Sequence, residues 1–284
     1  MEVDIDHLRS WIGRTQEKSE ILTPTLVEKF SATFDQKFSV LVGEPAPLLI
    51  HLCLAQPTAP MSDLGRDGHP KHGDFLPPVP LPRRMWAGGA FDFIEPMHIG
   101  DTVSRLSTIA NVQLKQGRSG PLFFVTVNHE MKSDDRLVLT ERQDIVYRDI
   151  PASVADRQIQ HDHSAKQSVR GTHSRTIKPH PTLLFRYSAL TFNGHRIHYD
   201  RSFCMETEGY PGLVVHGPMQ ATMLCQFAAD LKGKSPRAFN FRSISPIFDN
   251  ADFTLNADEA GDTSLKLWTA AIGGPIAMEA QAQW

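Results

Sequence analysis

The chain has 284 residues, of which 40% are hydrophobic and 21% charged, and its formal net charge is −3. This length and composition are typical of a globular protein with one large domain or two ordinary ones. The small negative charge does not indicate nucleic-acid binding, and no apolar run reaches the roughly eighteen residues that predict a membrane-spanning helix.

The cysteines and the first residues of the chain indicate in which cellular compartment the protein is expected. Cys53, Cys204 and Cys225 are odd in number and lack paired spacing, which predicts neither a disulfide framework nor a cysteine zinc site. The first residues are acidic and polar, unlike a signal or transit peptide. A cytoplasmic protein in a reducing environment is therefore expected.

The first half begins with a predicted helix over residues 20–36. Thr23 is a suitable N-cap, Pro24 fits the first helical position, and apolar residues follow at helical spacing. A short apolar run at 47–55 comes next. Residues 56–82 are rich in proline, glycine and histidine, which excludes a regular element and predicts an ordered arm or lid.

Strands dominate the rest of this half. Alternating and β-branched residues predict four strands that form an antiparallel meander behind the helix, at 84–93, 101–114, 122–132 and 137–148. Glycines at 117 and 120 predict a hairpin turn between the second and third strands. The polar residues 151–180 have no periodicity and are interpreted as an interdomain linker, so the predicted domains are 1–150 and 181–284.

The second half repeats this order. Residues 183–192 are predicted as a strand or bend, and 216–232 as a helix with an apolar stripe that Gly233 ends. The predicted strands of this half are 238–244, 252–256, 263–270 and 276–283. Two halves with a helix before a meander suggest an internal duplication. The expected class is α+β, with a helix across a curved antiparallel sheet built twice.

Three residues between these elements have the chemistry to handle water beside a thioester. Hydration of an α,β-unsaturated thioester needs a base near Cβ, an acid near Cα and donors to the enolate-like oxygen. His198 can be the base, and Asn193 can hold the water because its amide both donates and accepts. Gly217 opens a helix, where its N–H lacks a helical partner and a carbonyl oxygen can approach closely.

Each residue also has an ordinary explanation. Taken alone, His198 is more typical of a structural histidine, Asn193 with Gly194 is a turn signal, and Gly217 is a helix-start glycine. The order and spacing of the three are more specific than any one of them.

Two segments give the chain a family resemblance. Residues 188–200, Ser-Ala-Leu-Thr-Phe-Asn-Gly-His-Arg-Ile-His-Tyr-Asp, and 208–218, Glu-Gly-Tyr-Pro-Gly-Leu-Val-Val-His-Gly-Pro, resemble the hydratase 2 motif of MaoC-like hot-dog proteins. The likeness is nearest to the mesaconyl-CoA (3-methylfumaryl-CoA) or itaconyl-CoA hydratase branch, which is related to mitochondrial type 2 hydroxyacyl-thioester dehydratases. The first half, from residues 11–14 to 81–89, resembles the non-catalytic N-terminal hot-dog of that branch.

The resemblance implies a double hot-dog fold, acyl-CoA or acyl-carrier-protein thioester substrates, no cofactor and no metal. It also implies that the first domain helps to form the acyl-CoA pocket. The common motif has Asp where this chain has Asn193, and Asn-Pro where it has His195-Arg196. Without the carboxylate, His198 is expected to carry most of the proton transfer, with Asn193 holding water and His195 able to share the work.

Arginines near the motif suggest the rest of the substrate. Arg196 could bind a carboxylate through two parallel hydrogen bonds. This favours as substrate a five-carbon dicarboxylic mono-CoA thioester, whose hydration gives citramalyl-CoA. The alternative is a structural ion pair between Arg196 and Asp200. Residues that could bind the CoA phosphates are Arg83, Arg84 and Arg242, although surface arginines are most often simply solvated.

Other readings stay open. The His69-Pro-Lys-His72 and His161-Asp-His163 segments have metal-like spacing but lie in a loop and a linker, so they are predicted to be solvated. A hot-dog thioesterase, a 3-hydroxyacyl thioester dehydratase of fatty acid metabolism and a non-catalytic acyl-CoA-binding protein are alternatives to the hydratase. Exposed sheet edges and the habit of the fold favour a homodimer.

Overall fold

A ten-stranded antiparallel sheet organises the computed structural model, which describes residues 4–117, 120–149 and 167–284. The strand order is β1-β3-β4-β5-β2-β7-β10-β9-β8-β6. The strands of the first half are β1 Thr15–Ile21, β2 Arg83–Phe93, β3 Thr102–Gly117, β4 Gly120–Ser133 and β5 Arg136–Arg148. Those of the second half are β6 His173–Ile177, β7 Ala238–Ser243, β8 Phe253–Glu259, β9 Ser264–Ala271 and β10 Ile276–Gln283. The α+β class predicted from the sequence is confirmed.

Four α-helices accompany the sheet in the described residues. They are α1 Ile5–Arg9, α2 Pro24–Phe34, α3 Pro181–Leu190 and α4 Gly217–Lys232. The predicted helix over 20–36 is α2, and it starts where its caps place it: Thr23 Oγ1 accepts from the Leu26 N–H at 3.2 Å, with Pro24 in the first turn. None of the described helices is both long and apolar enough to cross a bilayer.

The two halves join where β2 pairs with β7. Two adjacent glycines on β2 allow the close approach. A Cβ on Gly88 would lie 2.8 Å from the carbonyl oxygen of Phe241 on β7, and one on Gly89 would lie 2.8 Å from Cζ of the same residue. Larger residues here would push the strands apart, so the seam depends on the Gly-Gly pair.

Helix α4 is the centre of the second half. It packs against β7, β8, β9 and β10, and every residue from Met219 to Ala228 is buried. Gly233 ends it in the left-handed region with φ 67°, as a C-terminal glycine commonly does. The predicted helix over 216–232 is therefore confirmed.

The first half follows the same order without a counterpart of α4. Residues 35–82, all of them described, contain two short 3₁₀ helices, Ile50–Cys53 and Met61–Asp63, but no α-helix. The predicted irregular arm, residues 56–82, thus stands where a long helix would cover the sheet. Because an arm covers a sheet face less completely than a helix does, this half leaves room for a cavity.

Three predictions about local structure need correction. Residues 183–192 are not a strand: they lie mostly in α3, which His180 caps and Pro181 begins. Residues 173–177, at the end of the predicted linker, form the edge strand β6, and β1 is a further strand that the sequence did not indicate. Both edge strands are largely polar, so they lack the apolar alternation that reveals a strand. The turn residues 118–119 and the linker residues 150–166, including His161 and His163, lie outside the described residues.

Candidate active site

A cavity of about 730 Å³ lies between the two halves. Strands β2–β5 and the arm line it from the first half, and the segment between α3 and α4 lines it from the second. The structure brings six of the predicted site residues to this cavity: Asn193, His195, His198, Gly217, Arg83 and Arg84. Arg196 and Arg242 are not among its lining residues.

Asn193 shapes the turn that follows α3. Its N–H donates to the carbonyl of Ser188 at 2.8 Å, and its side-chain Oδ1 accepts from the N–H of His195 at 3.0 Å. The side-chain oxygen of Asn193 therefore closes an Asx turn, and the NH₂ group of the same amide can still donate to a ligand.

His198 is held in one tautomer. Its Nδ1 lies 2.7 Å from the carbonyl oxygen of Val214, and because a carbonyl only accepts, Nδ1 donates and Nε2 remains an acceptor. The ring is buried, and this burial lowers the pKa of His198 to about 4 against the opposing effect of the Val214 bond. His198 is thus a neutral, oriented base at neutral pH.

A second imidazole, which the sequence analysis did not single out, stacks on His198. The rings of His198 and His216 are 3.6 Å apart and 18° from parallel, and His216 Nε2 lies 2.8 Å from Ser188 Oγ. Burial, followed by the charge of His198, keeps the pKa of His216 well below its ordinary value. His216 therefore fixes the plane of the His198 ring without adding charge.

Gly217 is the first residue of α4, so its N–H has no partner within the helix. A Cβ built here would meet Trp86 Cε3 at 3.7 Å and Ser243 Oγ at 3.8 Å, which are ordinary contacts. The space in front of Gly217 therefore belongs to the cavity rather than to the packed core. The N–H can serve a carbonyl oxygen placed there.

The arm brings further polar groups to the same place. His69 Nδ1 lies 2.9 Å from Asp67 Oδ2, and the His69 ring lies 4.0 Å from that of His195, which in turn is 5.4 Å from His198. The His69 side chain is only 15% exposed, so the prediction that it is solvated was wrong. The sequence showed the histidine but not the fold that buries it.

Arg196 does not clamp a ligand in this cavity. Its Nε and Nη2 donate to Asp200 Oδ2 at 3.0 and 2.7 Å, and its Nη1 donates to the carbonyl of Arg66 at 3.2 Å. The guanidinium is occupied by the structural ion pair that the sequence left as the alternative. The proposed carboxylate clamp at Arg196 is therefore corrected.

The other three arginines differ in what they bind. Arg83 is buried, pairs with Glu208 Oε2 at 2.7 Å and lies over the ring of Tyr210. Arg84 lines the cavity, and none of the ion pairs in the described part of the chain involves it. Arg242 is exposed on β7, on the opposite face from the buried Phe241 and outside the cavity, so its contact with the CoA phosphates stays a prediction.

A metal is the remaining chemical option for the arm. Asp67, His69 and His195 offer ligand atoms within 4.8 Å of one another. However, the 2.9 Å contact between His69 and Asp67 is a hydrogen bond, and His195 Nε2 is 4.0 Å from the same carboxylate oxygen. A zinc bound here would therefore have to replace the His69–Asp67 hydrogen bond.

The sequence is similar to those of a known enzyme family. Residues 49–249 match the model of hydroxyacyl-thioester dehydratase type 2. A mesaconyl-C(4)-CoA hydratase of Chloroflexus aurantiacus is 43% identical over 255 residues, which cover 89% of each chain.

Solved structures show the same fold at low identity. A MaoC-like dehydratase from Phytophthora capsici superposes with a TM-score of 0.69 over 99% of both chains at 12% identity. A Mycobacterium tuberculosis protein described as having a double hot-dog fold superposes with a TM-score of 0.55 over 96% of both chains, also at 12% identity. The predicted double hot-dog fold is confirmed by these likenesses.

Proposed function

The chain belongs to the hydroxyacyl-thioester dehydratase type 2 family and is a hydro-lyase of the enoyl-CoA hydratase type, and we propose that it hydrates a five-carbon dicarboxylic mono-CoA thioester. The product would be citramalyl-CoA, as the sequence analysis expected from mesaconyl-CoA. One observation carries the substrate assignment beyond the named relative: a cavity with the His198 base and the Gly217 N–H also contains Arg84, a cation that takes part in none of the ion pairs of the described residues.

The reaction follows from the geometry of these groups. The thioester carbonyl accepts from the Gly217 N–H, which draws electrons from the C=C bond and stabilises the enolate-like oxygen. The Asn193 amide holds a water beside Cβ, and His198 Nε2 accepts a proton from it as the water oxygen bonds to Cβ. None of these steps calls for a cofactor, so we keep the proposal that CoA enters only as part of the substrate.

The distal carboxylate is the feature that selects the substrate. In mesaconyl-CoA it lies on Cβ, so it must sit beside the imidazoles. Arg84 lines the same cavity as His69 and His195, and its charge contributes to lowering the pKa of both. We therefore assign the carboxylate to Arg84 rather than to Arg196.

The CoA phosphates need cations elsewhere in the cavity. Arg83 and Arg148 stand directly opposite each other on β2 and β5, and both line the cavity. Glu208 already compensates the charge of Arg83 at 2.7 Å, whereas Arg148 has a buried Nε with no hydrogen-bond partner among the described residues. We therefore propose Arg148, rather than the already paired Arg83, as the cation that meets the CoA phosphates.

A panel of enoyl-CoA thioesters tests the proposal. Purified protein is incubated with mesaconyl-CoA, itaconyl-CoA and crotonyl-CoA while loss of the enoyl absorbance and release of free thiol are recorded. We expect loss of absorbance without thiol, fastest with a dicarboxylic substrate, and a decrease in kcat of about 10²- to 10⁴-fold in His198→Gln. Thiol release without hydration would establish a thioesterase, and unchanged turnover in His198→Gln would favour a binding protein. The predicted homodimer and cytoplasmic location stay predictions.

A further inference from the structure

Asp67 and His69 form a carboxylate–imidazole pair at the wall of the cavity. The hydrogen bond from His69 Nδ1 to Asp67 Oδ2 is 2.9 Å long, and the backbone N–H of His69 also donates to Asp67 Oδ1 at 3.1 Å. Asp67 can only accept when ionised, so it binds the Nδ1 proton; His69 Nε2 is then an acceptor in the neutral ring and carries the second proton in the imidazolium, the form that acts as the acid in hydration. This arrangement orients an imidazole for proton transfer.

Close backbone packing fixes this pair against the motif of the second half. A Cβ on Gly68 would lie 2.0 Å from the carbonyl oxygen of Gly194, and one on Gly194 would lie 2.7 Å from that of Gly68. The Arg196 N–H donates to the Asp67 carbonyl at 2.9 Å. Because only glycine fits both positions, the arm is held to the Asn193 turn with little freedom.

We propose that His69, held by Asp67, transfers the proton at Cα of the acyl chain and so replaces the carboxylate that position 193 lacks. The inference rests on the proposed function. It also assigns catalytic chemistry to the first domain, which the sequence analysis expected to be non-catalytic.

The proposed step conserves protons and electrons. In hydration the water oxygen bonds to Cβ while one water proton goes to His198 Nε2. The electron pair of the C=C bond then forms the Cα–H bond with the proton of His69 Nε2. His198 ends protonated and His69 neutral, and exchange with solvent restores both. In dehydration His69 removes the Cα proton and His198 protonates the departing hydroxyl.

The groups that face His69 set its proton affinity. Burial, Arg84 and His72 lower the pKa of His69 to about 4, while the bond and the charge of Asp67 act in the opposite direction. His195 lies against the ring and has a pKa well below its ordinary value because of its burial, followed by the charge of His69. A substrate carboxylate bound to Arg84 would offset the charge of Arg84, which is the second cause that lowers the pKa of His69. The anionic substrate itself therefore favours the protonated form of His69.

Matched histidine variants test the inference in the full-length protein with mesaconyl-CoA. We expect His69→Gln to lower kcat by at least about 100-fold while KM changes by less than about threefold. The control is His98→Gln, whose Nδ1 lies 3.7 Å from Asp101 Oδ2 and which is not among the residues that line the cavity. Its kcat should change by less than about threefold.

Isotope exchange separates proton transfer from structural support. Succinyl-CoA has no hydroxyl to lose, so incorporation of deuterium at the Cα next to its thioester, followed by NMR in D₂O, reports only the Cα step. We expect His69→Gln to abolish this exchange and His198→Gln to retain it. Asp67→Asn should slow it and shift its pH profile, and this variant serves if His69→Gln does not fold.

Four results would overturn the inference or its premise. A wild-type protein that hydrates no enoyl-CoA refutes the proposed function and the inference together. An active wild type with equal kcat in His69→Gln and His98→Gln refutes the inference alone. The inference is also refuted if His69→Gln changes KM and leaves kcat unchanged. Activity that a chelator removes and zinc restores would make Asp67, His69 and His195 metal ligands instead.

Discussion

Replacing Arg84 tests which arginine recognises the distal carboxylate. Arg84→Met keeps an unbranched side chain of similar length and removes the charge that we assign to the substrate. A hydrogen bond to a charged group contributes about 1.5–3 kcal/mol, which corresponds to about 10- to 150-fold in kcat/KM. We expect that loss with mesaconyl-CoA and a change below about threefold with crotonyl-CoA, because crotonyl-CoA lacks the second carboxylate.

A second readout comes from the neighbouring histidines. The charge of Arg84 is one cause of the lowered pKa of His69 and of His195. Its removal should therefore move the pH profile of crotonyl-CoA hydration to higher pH. No merely structural role of Arg84 predicts this shift together with the change in substrate preference.

Arg196→Met is the control. The Arg196–Asp200 pair is 36% and 29% exposed, and such a pair contributes about 0–1 kcal/mol to stability. This variant should lower the melting temperature slightly and affect both substrates equally. If Arg196→Met discriminates between mesaconyl-CoA and crotonyl-CoA while Arg84→Met does not, the assignment of the carboxylate to Arg84 is refuted.

Three further predictions concern the cavity, acid stability and the thiols. Gly217→Ala should lower kcat/KM on the order of 100-fold with an unchanged melting temperature, because its methyl group enters the cavity and meets Trp86 only at an ordinary 3.7 Å; a large loss of stability would contradict this. Chemical denaturation at a series of pH values should show that the free energy of unfolding falls from pH 6.5 towards 4. Burial lowers the pKa of His69 and of His198 to about 4 in the folded protein, so as the pH falls the unfolded chain takes up their protons first. A free energy of unfolding that does not change in this window would argue against their burial. A thiol reagent should modify no cysteine until the protein unfolds, because all three are buried and burial raises their pKa; rapid labelling of the native protein would contradict it.

The sequence predicts the elements whose patterns are local. The stripe of α4 and the alternation in β2–β5 follow periods that packing on one face imposes. Helix α3 was mistaken for a strand because a short apolar run fits both periods. The polar edges β1 and β6 were missed for lack of any apolar pattern.

The same distinction holds for the site. Asn193, His198 and Gly217 are close in the chain and could be found together by their spacing. Asp67 and His69 come to them only through the packing of Gly68 on Gly194, which no local pattern reveals. The sequence leaves the carboxylate clamp and the Asp200 ion pair as alternatives for Arg196, because nearness in sequence to the base does not decide which way a guanidinium turns.

The asparagine at position 193 has an electrostatic explanation if the substrate is a dicarboxylate. A carboxylate at this position would face the anionic group on Cβ, and two unit charges about 4 Å apart repel by about 4 kcal/mol at an effective dielectric constant of about 20. Asn193 avoids that repulsion, and His69 with Asp67 supplies proton transfer from the other side. We therefore expect Asn193→Asp to raise KM for mesaconyl-CoA by at least about tenfold relative to crotonyl-CoA, because the ionised side chain would oppose only the dicarboxylate. Equal KM changes for the two substrates in steady-state assays would show that position 193 does not face the distal carboxylate.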